Sequence, residues 1–413
     1  MSNLWRPFSV PALASPLHVR KGKGVNLVDR QGREYLDAVS GLWNTSVGLN
    51  NPALVSQMHA QLQELSFSSL FHATNSPAER LSTRLVELSG GRMQHVYLST
   101  TGSSAVEVAL RVSRIYQRAR GMPEKKRILS FDLGYHGCSG LGMGVSGILA
   151  DEVAKSEDFP PHVQTIPSPL REGVSLDALA TALHAGDVAC LIMEPVLGSG
   201  GVIVPSKDYC REVRRLCSAH GALLIADEVA TGTGRCGAMF ASDLLELAPD
   251  VITLSKGLNA GYFPLAATLF AEHVVQPISA AQIALQYGCT QDGNPVGCVS
   301  ALATLDFIAE QGLERRAAEL GEHIRSELAN SGCSVIREVR GLGMMIGIEL
   351  AHVQGGAPFS AEESARVRLL CQEAGLLVYH FDAGLSLFPA LTITEDEVAV
   401  MLDILNEVLA TLC

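Results

Sequence analysis

Short apolar runs alternate with segments of helical periodicity between residues 90 and 270, and this alternation constrains the fold most strongly. Amphipathic segments such as 105–120 and 207–220 separate several of the runs. Such an order is typical of a mostly parallel β-sheet that is covered by helices on both faces. It predicts an α/β fold. The predicted strands are His95–Ser99, Arg127–Phe131, 190–193, 222–226, 251–255 and 265–270.

The sequence changes character after Pro295, where a second, smaller domain is predicted. A long helix over 299–329 precedes an apolar stretch at 335–350, a helix near 361–374 and a closing helix that starts at Glu395. These elements favour a small α+β domain. The predicted organisation is an N-terminal segment, 1–50, that packs with the small domain, a large domain, 51–295, and a C-terminal domain, 296–413.

Composition excludes several classes of partner. The net charge of −12 argues against nucleic acid and anionic membranes, because both attract a basic face. No apolar run reaches the ~18–20 residues of a membrane span. The 10 cysteines have no CxxC or Cys/His ligand spacing, and the N-terminus lacks the pattern of a signal peptide. We expect a cytoplasmic protein without a metal site.

Two charged residues end neighbouring apolar runs of the predicted sheet. Asp227 ends the run 221–227, and Lys256 follows the run 250–255. A lysine that forms a Schiff base and an acid that pairs with a pyridinium nitrogen are the two groups that pyridoxal phosphate chemistry requires. The alternative for either residue alone is half of a structural ion pair.

Further polar groups follow other strands of the same sheet. Gly102 and Ser103 precede a helix, whose N–H groups could bind a phosphate, and Ser104 with Glu107 has the spacing of a capping box. The alternative is a capped helix without a ligand. Tyr135 and His136 follow the next strand, and their alternative is ordinary loop packing. Glu194 follows the strand after that.

A glycine-rich motif at 232–237 matches the dinucleotide fingerprint G-x-G-x-x-G. An Asp-Glu pair separates it from the strand, and no second strand with an acidic end follows at the required distance. We interpret it as a tight turn in which Arg235 anchors nearby carboxylates. A nicotinamide oxidoreductase is therefore a weak alternative.

These motifs together resemble the class III (ω-type) aminotransferases of the fold type I pyridoxal phosphate family. The resemblance runs from Trp5-Arg6-Pro7-Phe8 to the segment 389–394. It is most specific at 224–232 and at Ser255-Lys256-Gly257. Within the family, these motifs are most similar to the motifs of diaminopelargonate and amine:pyruvate aminotransferases. The resemblance implies a large domain with a mostly parallel sheet, a small α+β domain, and pyridoxal 5'-phosphate as cofactor.

The resemblance also implies a role for each matching residue. Lys256 would bind the cofactor and move the proton, and Asp227 would hold the pyridine nitrogen protonated. Thr290 would reach the phosphate of the neighbouring subunit, which implies a homodimer with shared active sites. The remaining implied cofactor residues are Gly102, Ser103, Tyr135, His136, Glu194 and Val229, and the implied substrate residues are Phe8, Trp43, Tyr135 and Tyr379.

Two positions depart from the family pattern. Ser104 stands where glutamate is usual. Tyr379 stands where related enzymes have an arginine for the substrate carboxylate, and Ser386 does not replace it. Either another arginine such as Arg6 takes this role, or the substrates lack a carboxylate there.

The predicted function is therefore transfer of an amino group from an amine or amino acid donor to an aldehyde or ketone, in ping-pong fashion. The same cofactor also supports decarboxylases, racemases and lyases, which form the alternative. A non-catalytic binding protein on this scaffold is a third hypothesis.

Overall fold

The computed structural model describes residues 3–10, 17–155, 161–353 and 356–412. The strands are β1 (Val19–Lys23), β2 (Asn26–Asp29), β3 (Glu34–Asp37), β4 (His95–Ser99), β5 (Arg127–Phe131), β6 (Val163–Ile166), β7 (Val188–Met193), β8 (Leu223–Asp227), β9 (Val251–Leu254), β10 (Ala266–Phe270), β11 (Ile336–Leu342), β12 (Met345–Leu350), β13 (Leu376–Leu377), β14 (Tyr379–Phe381) and β15 (Gly384–Leu387).

Helices separate most of these strands. They are α1 (Ser40–Trp43), α2 (Pro52–Glu64), α3 (Ser76–Leu88), α4 (Gly102–Ala119), α5 (Gly140–Val145), α6 (Ala150–Lys155), α7 (Glu172–His184), α8 (Lys207–Ala219), α9 (Ala241–Leu244), α10 (Glu272–Ala280), α11 (Pro295–Glu310), α12 (Leu313–Ala329), α13 (Ala361–Glu373) and α14 (Glu395–Ala410), with 3-10 turns at Gly147–Leu149, Pro169–Arg171 and Lys256–Leu258.

The large sheet has seven strands in the order β4-β10-β9-β8-β7-β5-β6. Strands β9, β8, β7, β5 and β6 pair in parallel, whereas β10 is antiparallel to both β9 and β4. The predicted α/β fold with a mostly parallel sheet is confirmed. In particular β8 and β9 are neighbours, with Asp227 opposite Thr253. The carboxyl ends of these two strands therefore place Asp227 close to Lys256.

The central strands are apolar along their whole length because both faces of the sheet are covered. Every residue of β7, β8 and β9 is buried. Helix α4 packs on this sheet through an apolar stripe that includes Val106 and Leu110. A parallel sheet needs such continuous apolar runs, since it leaves no face to solvent.

The first turn of α4 corrects the predicted capping box. The N-cap is Thr101, whose Oγ1 accepts the Ser104 N–H at 3.0 Å, while the Ser104 hydroxyl accepts the Thr101 N–H at 2.9 Å. Glu107 instead accepts hydrogen bonds from Arg111 Nε at 2.7 Å and from the Leu141 N–H at 2.8 Å. The box lies three residues earlier than predicted because Thr101 already has the extended N-cap backbone.

The small domain has a four-stranded antiparallel sheet, β11-β12-β15-β14. Its core is a second apolar cluster that includes Ile346, Leu387 and Leu405. The predicted single helix over 299–329 is wrong: α11 and α12 are separate and meet at 65°. Gly312 causes the break, because its φ of +60° is left-handed and ends the helical path.

The N-terminal strands form a separate sheet with one C-terminal strand. Strands β1, β2 and β3 are antiparallel, and Leu36 in β3 pairs in parallel with Leu376 in β13. The predicted domain boundaries themselves stay a prediction.

In the described parts of the chain no single helix is long and apolar enough to span a membrane. The bent pair α11 and α12 meets the length and composition of a span, and on these two criteria alone.

Candidate active site

A cavity of about 530 Å³ opens at the carboxyl ends of β8 and β9. Ligands of open α/β sheets bind at this edge. Its lining residues are Phe8, Leu42, Trp43, Thr101, Gly102, Ser103, Val106, Tyr135, His136, Gly137, Ile148, Leu149, Glu194, Ser199, Asp227, Val229, Ala230, Ser255, Lys256 and Tyr379.

The charged end of the cavity, called here the floor, consists of His136, Glu194, Asp227 and Lys256. Asp227 is buried, and its Oδ1 accepts hydrogen bonds from Thr253 Oγ1 at 2.9 Å and from the Val229 N–H at 3.1 Å. Its Oδ2 lies 2.7 Å from His136 Nδ1. Three contacts hold the carboxylate in one orientation, with the cavity beside it.

Lys256 begins a 3-10 turn directly after β9. Burial lowers the pKa of its ammonium, and the carboxylates of Glu194 and Asp227 oppose that shift. Its Nζ lies 4.4 Å from the centroid of the Trp43 ring. An amine with a lowered pKa is neutral, and therefore nucleophilic, over a wider pH range than an exposed lysine.

Glu194 joins two loops that border the cavity. Its Oε1 accepts the Tyr135 N–H and its Oε2 accepts the Gly198 N–H, both at 3.0 Å. Burial raises the pKa of this carboxyl, and nearby Asp227 raises it further. The side chain thus fixes the backbone that carries the Tyr135 ring.

The N-terminus of α4 supplies an anion-binding end. The first intrahelical hydrogen bond runs from the Ala105 N–H to the Thr101 carbonyl at 3.0 Å, so the N–H groups of Gly102 and Ser103 precede it. A Cβ at Gly102 would lie 3.1 Å from Val229 Cγ1, a tight contact that glycine avoids. Free N–H groups and the helix dipole favour a phosphate here.

A second group of lining residues, called here the wall, is mainly aromatic and consists of Phe8, Leu42, Trp43 and Tyr379. The Trp43 ring stacks on Phe388, with centroids 4.2 Å apart, and meets Tyr379 edge-on at 5.3 Å. Among the described residues that line the cavity there is no arginine, and Lys256 is the only lysine. Burial raises the pKa of Tyr379, so its hydroxyl stays a neutral donor.

The structure brings together all but one of the residues predicted for the site, although their roles stay predictions. Thr290 does not line the cavity and is exposed on a loop. Arg6 is also not among the lining residues. Sequence reasoning missed Leu42, Ile148 and Leu149, because an apolar residue in a short helical turn carries no chemical pattern.

The glycine-rich motif is a buried turn away from the cavity, as interpreted. However, the predicted partners of Arg235 are wrong: it donates to the carbonyl oxygens of Met344 and Pro389 rather than to carboxylates. Burial lowers the pKa of this guanidinium to about 10. Arg235 thus joins the motif to the small domain.

This fold and cavity define the class of protein, and the chain belongs to the family described as Aminotransferase class-III, whose profile matches residues 8–409. It is 34% identical to the adenosylmethionine-8-amino-7-oxononanoate aminotransferase of Geobacter sulfurreducens, with 99% of this chain and 96% of that protein covered. It is 31% identical to an omega-aminotransferase of Caulobacter vibrioides, with 98% and 96% covered.

Solved structures give the same result. An amine transaminase from an uncultivated Pseudomonas species, in its PLP-bound form, has a TM-score of 0.94 and 33% identity, covering 100% of this chain and 99% of its own. The omega transaminase of Pseudomonas jessenii in complex with PMP has a TM-score of 0.94 and 29% identity, covering 99% and 96%. The chain is a fold type I aminotransferase, and the decarboxylase, racemase or lyase alternative has no support from these comparisons.

The cofactor of this family is pyridoxal 5'-phosphate. The site fits it. The buried carboxylates of Asp227 and Glu194 and the partly exposed Lys256 border a cavity whose glycine-lined end offers free N–H groups to a phosphate. Among the described residues no group of three or more His, Cys, Asp or Glu side chains is arranged to hold a metal ion.

Proposed function

We propose that this aminotransferase acts on amines without a carboxylate next to the reacting carbon, as a homodimer, with Lys256 and Asp227 as its catalytic residues. The observation that supports the proposal most is the contrast within one cavity. Its floor holds Asp227 beside Lys256, while its wall contains no arginine among the described lining residues. The floor supplies the chemistry and the wall selects the substrate.

Lys256 is the proposed nucleophile and proton carrier. Because burial lowers its pKa, Nζ can be neutral when it attacks an aldehyde and can later accept a proton from the substrate carbon. Its position at the end of β9 keeps Nζ inside the cavity. Pyridoxal phosphate, when bound, supplies the aldehyde and an electron-accepting ring.

Asp227 is the proposed partner of the pyridinium nitrogen. The Thr253 hydroxyl and the Val229 N–H hold Oδ1, and His136 holds Oδ2. A carboxylate that is held in place by these contacts is what a protonated ring nitrogen needs as its partner.

The remaining floor and loop residues are proposed to hold the cofactor in place. The Tyr135 ring would stack on one face and Val229 would pack on the other. Glu194 supports this arrangement because it accepts the Tyr135 N–H. Gly102 and Ser103 would bind the phosphate through the N-terminus of α4.

The wall supports a substrate class. A carboxylate that enters the cavity would meet Glu194 and Asp227 without an arginine from the lining residues to neutralise it. The Tyr379 hydroxyl can donate one hydrogen bond to a neutral oxygen, and Trp43 offers an apolar face. We therefore propose an amine with an apolar substituent as donor or product.

Exposed apolar residues at the end of α2 and in the segment between α2 and α3, called here the apolar patch, support the homodimer. Two of them adjoin the loop that carries Thr290, because a Cβ at Gly288 would lie 2.7 Å from Phe71 and one at Gly293 would meet Leu70. A patch of this kind usually marks an interface. Its members are Leu62, Leu65, Phe67, Leu70 and Phe71, with Leu62 and Phe71 more than half exposed.

Thr290 is proposed to reach the phosphate in the partner subunit. It is exposed, and it lies beside this patch rather than in the cavity of its own chain.

We also propose a cytoplasmic location. The cysteines 138, 190, 210, 217, 236, 289, 298 and 371 are free thiols, which is typical of a reducing compartment.

Donor-only turnover tests the proposed substrate class. The holoenzyme is mixed with 1-phenylethylamine or with alanine, and absorbance spectra follow conversion of the bound cofactor to its amine form. We expect conversion with the carboxylate-free amine at a rate at least ~10-fold higher than with alanine, which corresponds to at least about 1.4 kcal/mol. Faster conversion with alanine would contradict the substrate class, and no conversion with any amine would contradict aminotransfer.

A further inference from the structure

The loop that carries Thr290 is closed by one acidic residue. The Asp292 N–H donates to the Cys289 carbonyl at 3.0 Å, and the Cys289 N–H donates to Asp292 Oδ2 at 2.7 Å. These two hydrogen bonds run in opposite directions between the same two residues. They form a closed turn with Thr290 and Gln291 at its tip.

Both ends of this loop are anchored to the large domain. The Tyr97 hydroxyl on β4 donates to the Tyr287 carbonyl at 3.0 Å and lies 3.4 Å from Asp292 Oδ2. Asn75, the N-cap of α3, donates from Nδ2 to the Gly293 carbonyl at 3.1 Å. The turn is therefore fixed relative to the sheet, while its residues 288–291 are exposed.

Burial of the Asp292 carboxyl costs folding free energy that a simple turn does not require. Its side chain is buried, and Oδ1 has no hydrogen-bond partner among the described residues. Burial raises the pKa of this carboxyl, which shows that the folded chain disfavours the charge. The hydrogen bond that Oδ2 accepts from the Cys289 N–H offsets part of this cost and closes the turn.

We propose that Asp292 is a positioning residue for the phosphate of the cofactor: it fixes the turn that presents Thr290 to the active site of the partner subunit. This inference rests on the homodimer and on the role of Thr290 proposed above. A hydroxyl that is already fixed loses less conformational freedom when it binds than one on an open loop.

The test compares pyridoxal phosphate with pyridoxal, which lacks the phosphate. Both affinities are measured on the apoenzyme by fluorescence titration. Asp292→Ala should weaken pyridoxal phosphate binding about tenfold and leave pyridoxal unchanged. Asp292→Asn should bind both like the wild type, because its amide oxygen can still accept the Cys289 N–H. Asp292→Gly makes the same comparison if the alanine variant does not fold.

A double-mutant cycle with Thr290 separates this proposal from the one on which it rests. Thr290→Ala should reproduce the loss specific to pyridoxal phosphate, and the double variant should lose no more than either single one. If Thr290→Ala has the loss and Asp292→Ala does not, Asp292 has no positioning role. If Thr290→Ala has no effect, the proposed role of Thr290 fails and this proposal fails with it.

Hydrogen exchange gives a readout without any cofactor. In the apoenzyme, the amides of residues 288–292 should exchange about tenfold faster in Asp292→Ala than in Asp292→Asn, while sedimentation shows dimers for both. Equal weakening of pyridoxal and pyridoxal phosphate, or unchanged exchange, would overturn the proposal.

Discussion

The floor and the wall of the cavity differ in how strongly the chain fixes them. In the floor, both oxygens of Asp227 and both oxygens of Glu194 accept hydrogen bonds from groups of the same chain. In the wall, packing between rings positions Trp43 and Tyr379, and Phe8 is 78% exposed. The hydrogen bonds of the floor hold the reacting groups in one arrangement. Substitutions in the apolar wall, by contrast, can change which substrate the cavity accepts.

The largest expected effect comes from the floor. Asp227→Asn keeps the shape of the side chain but removes the charge that would hold a pyridinium proton. We expect kcat for amine conversion to fall about 10³-fold, a loss typical of one preorganised electrostatic group. Steady-state kinetics with a carboxylate-free amine measures it.

Asp250→Asn is the matched control. Asp250 is also a buried acid next to β9, but it pairs with Arg214 at 2.8 Å and with His273 at 3.0 Å, outside the cavity. This variant should lose stability and keep kcat within about threefold, since it touches no reacting group. Similar losses of kcat in both variants would contradict the distinction between the floor and its surroundings.

The pH dependence of cofactor attachment tests the state of Lys256. Only the neutral amine attacks an aldehyde, so the rate rises with pH until Nζ has lost its proton. Because burial lowers the pKa of Lys256 below its ordinary 10.5, the rise should end at a lower pH than for a free lysine. Stopped-flow mixing of apoenzyme with pyridoxal phosphate measures the profile; a midpoint at or above the ordinary value would show that burial does not act as described.

A smaller effect is expected from the wall. Tyr379→Arg places a cation opposite Trp43, where it can pair with a carboxylate that the wild type leaves unpaired. We expect the kcat/KM ratio of alanine to 1-phenylethylamine to rise about 10-fold or more. Tyr379→Phe, which keeps the ring contact with Trp43 and adds no charge, is the control and should leave the ratio within about threefold. An unchanged ratio in the arginine variant would mean that Tyr379 does not face the substrate.

Both regions were partly predictable from sequence. Asp227, Lys256, Glu194 and Gly102 were predictable because polar residues and glycines follow several apolar strands of one sheet, at the edge where ligands of such sheets bind. The family resemblance implied Phe8, Trp43 and Tyr379, whereas Leu42 and Ile148 were missed, since a leucine or isoleucine in a short helical turn looks the same whether it lines a cavity or the core. Only the folded chain brings them to the same cavity.

Local hydrogen bonding explains the errors in the fold. Six of the seven strands of the large sheet were predictable to within about two residues because their apolar runs are bounded by polar turns, whereas β6 (Val163–Ile166), an edge strand, was not predicted. The capping box was misplaced because two candidate caps, Thr101 and Ser104, lie within one turn, and only backbone geometry selects Thr101. The break at Gly312 was missed because an isolated glycine is also tolerated inside a helix.

Replacement of Lys256 tests the central claim most directly. Lys256→Ala is compared with Lys207→Ala, which removes an exposed lysine that pairs with Glu246 at 3.1 Å. In the donor-only assay the Lys256 variant should show no detectable conversion and no visible absorbance of lysine-bound cofactor, while the Lys207 variant matches the wild type. Conversion at the wild-type rate without Lys256 would contradict the assignment of the floor as the reacting centre.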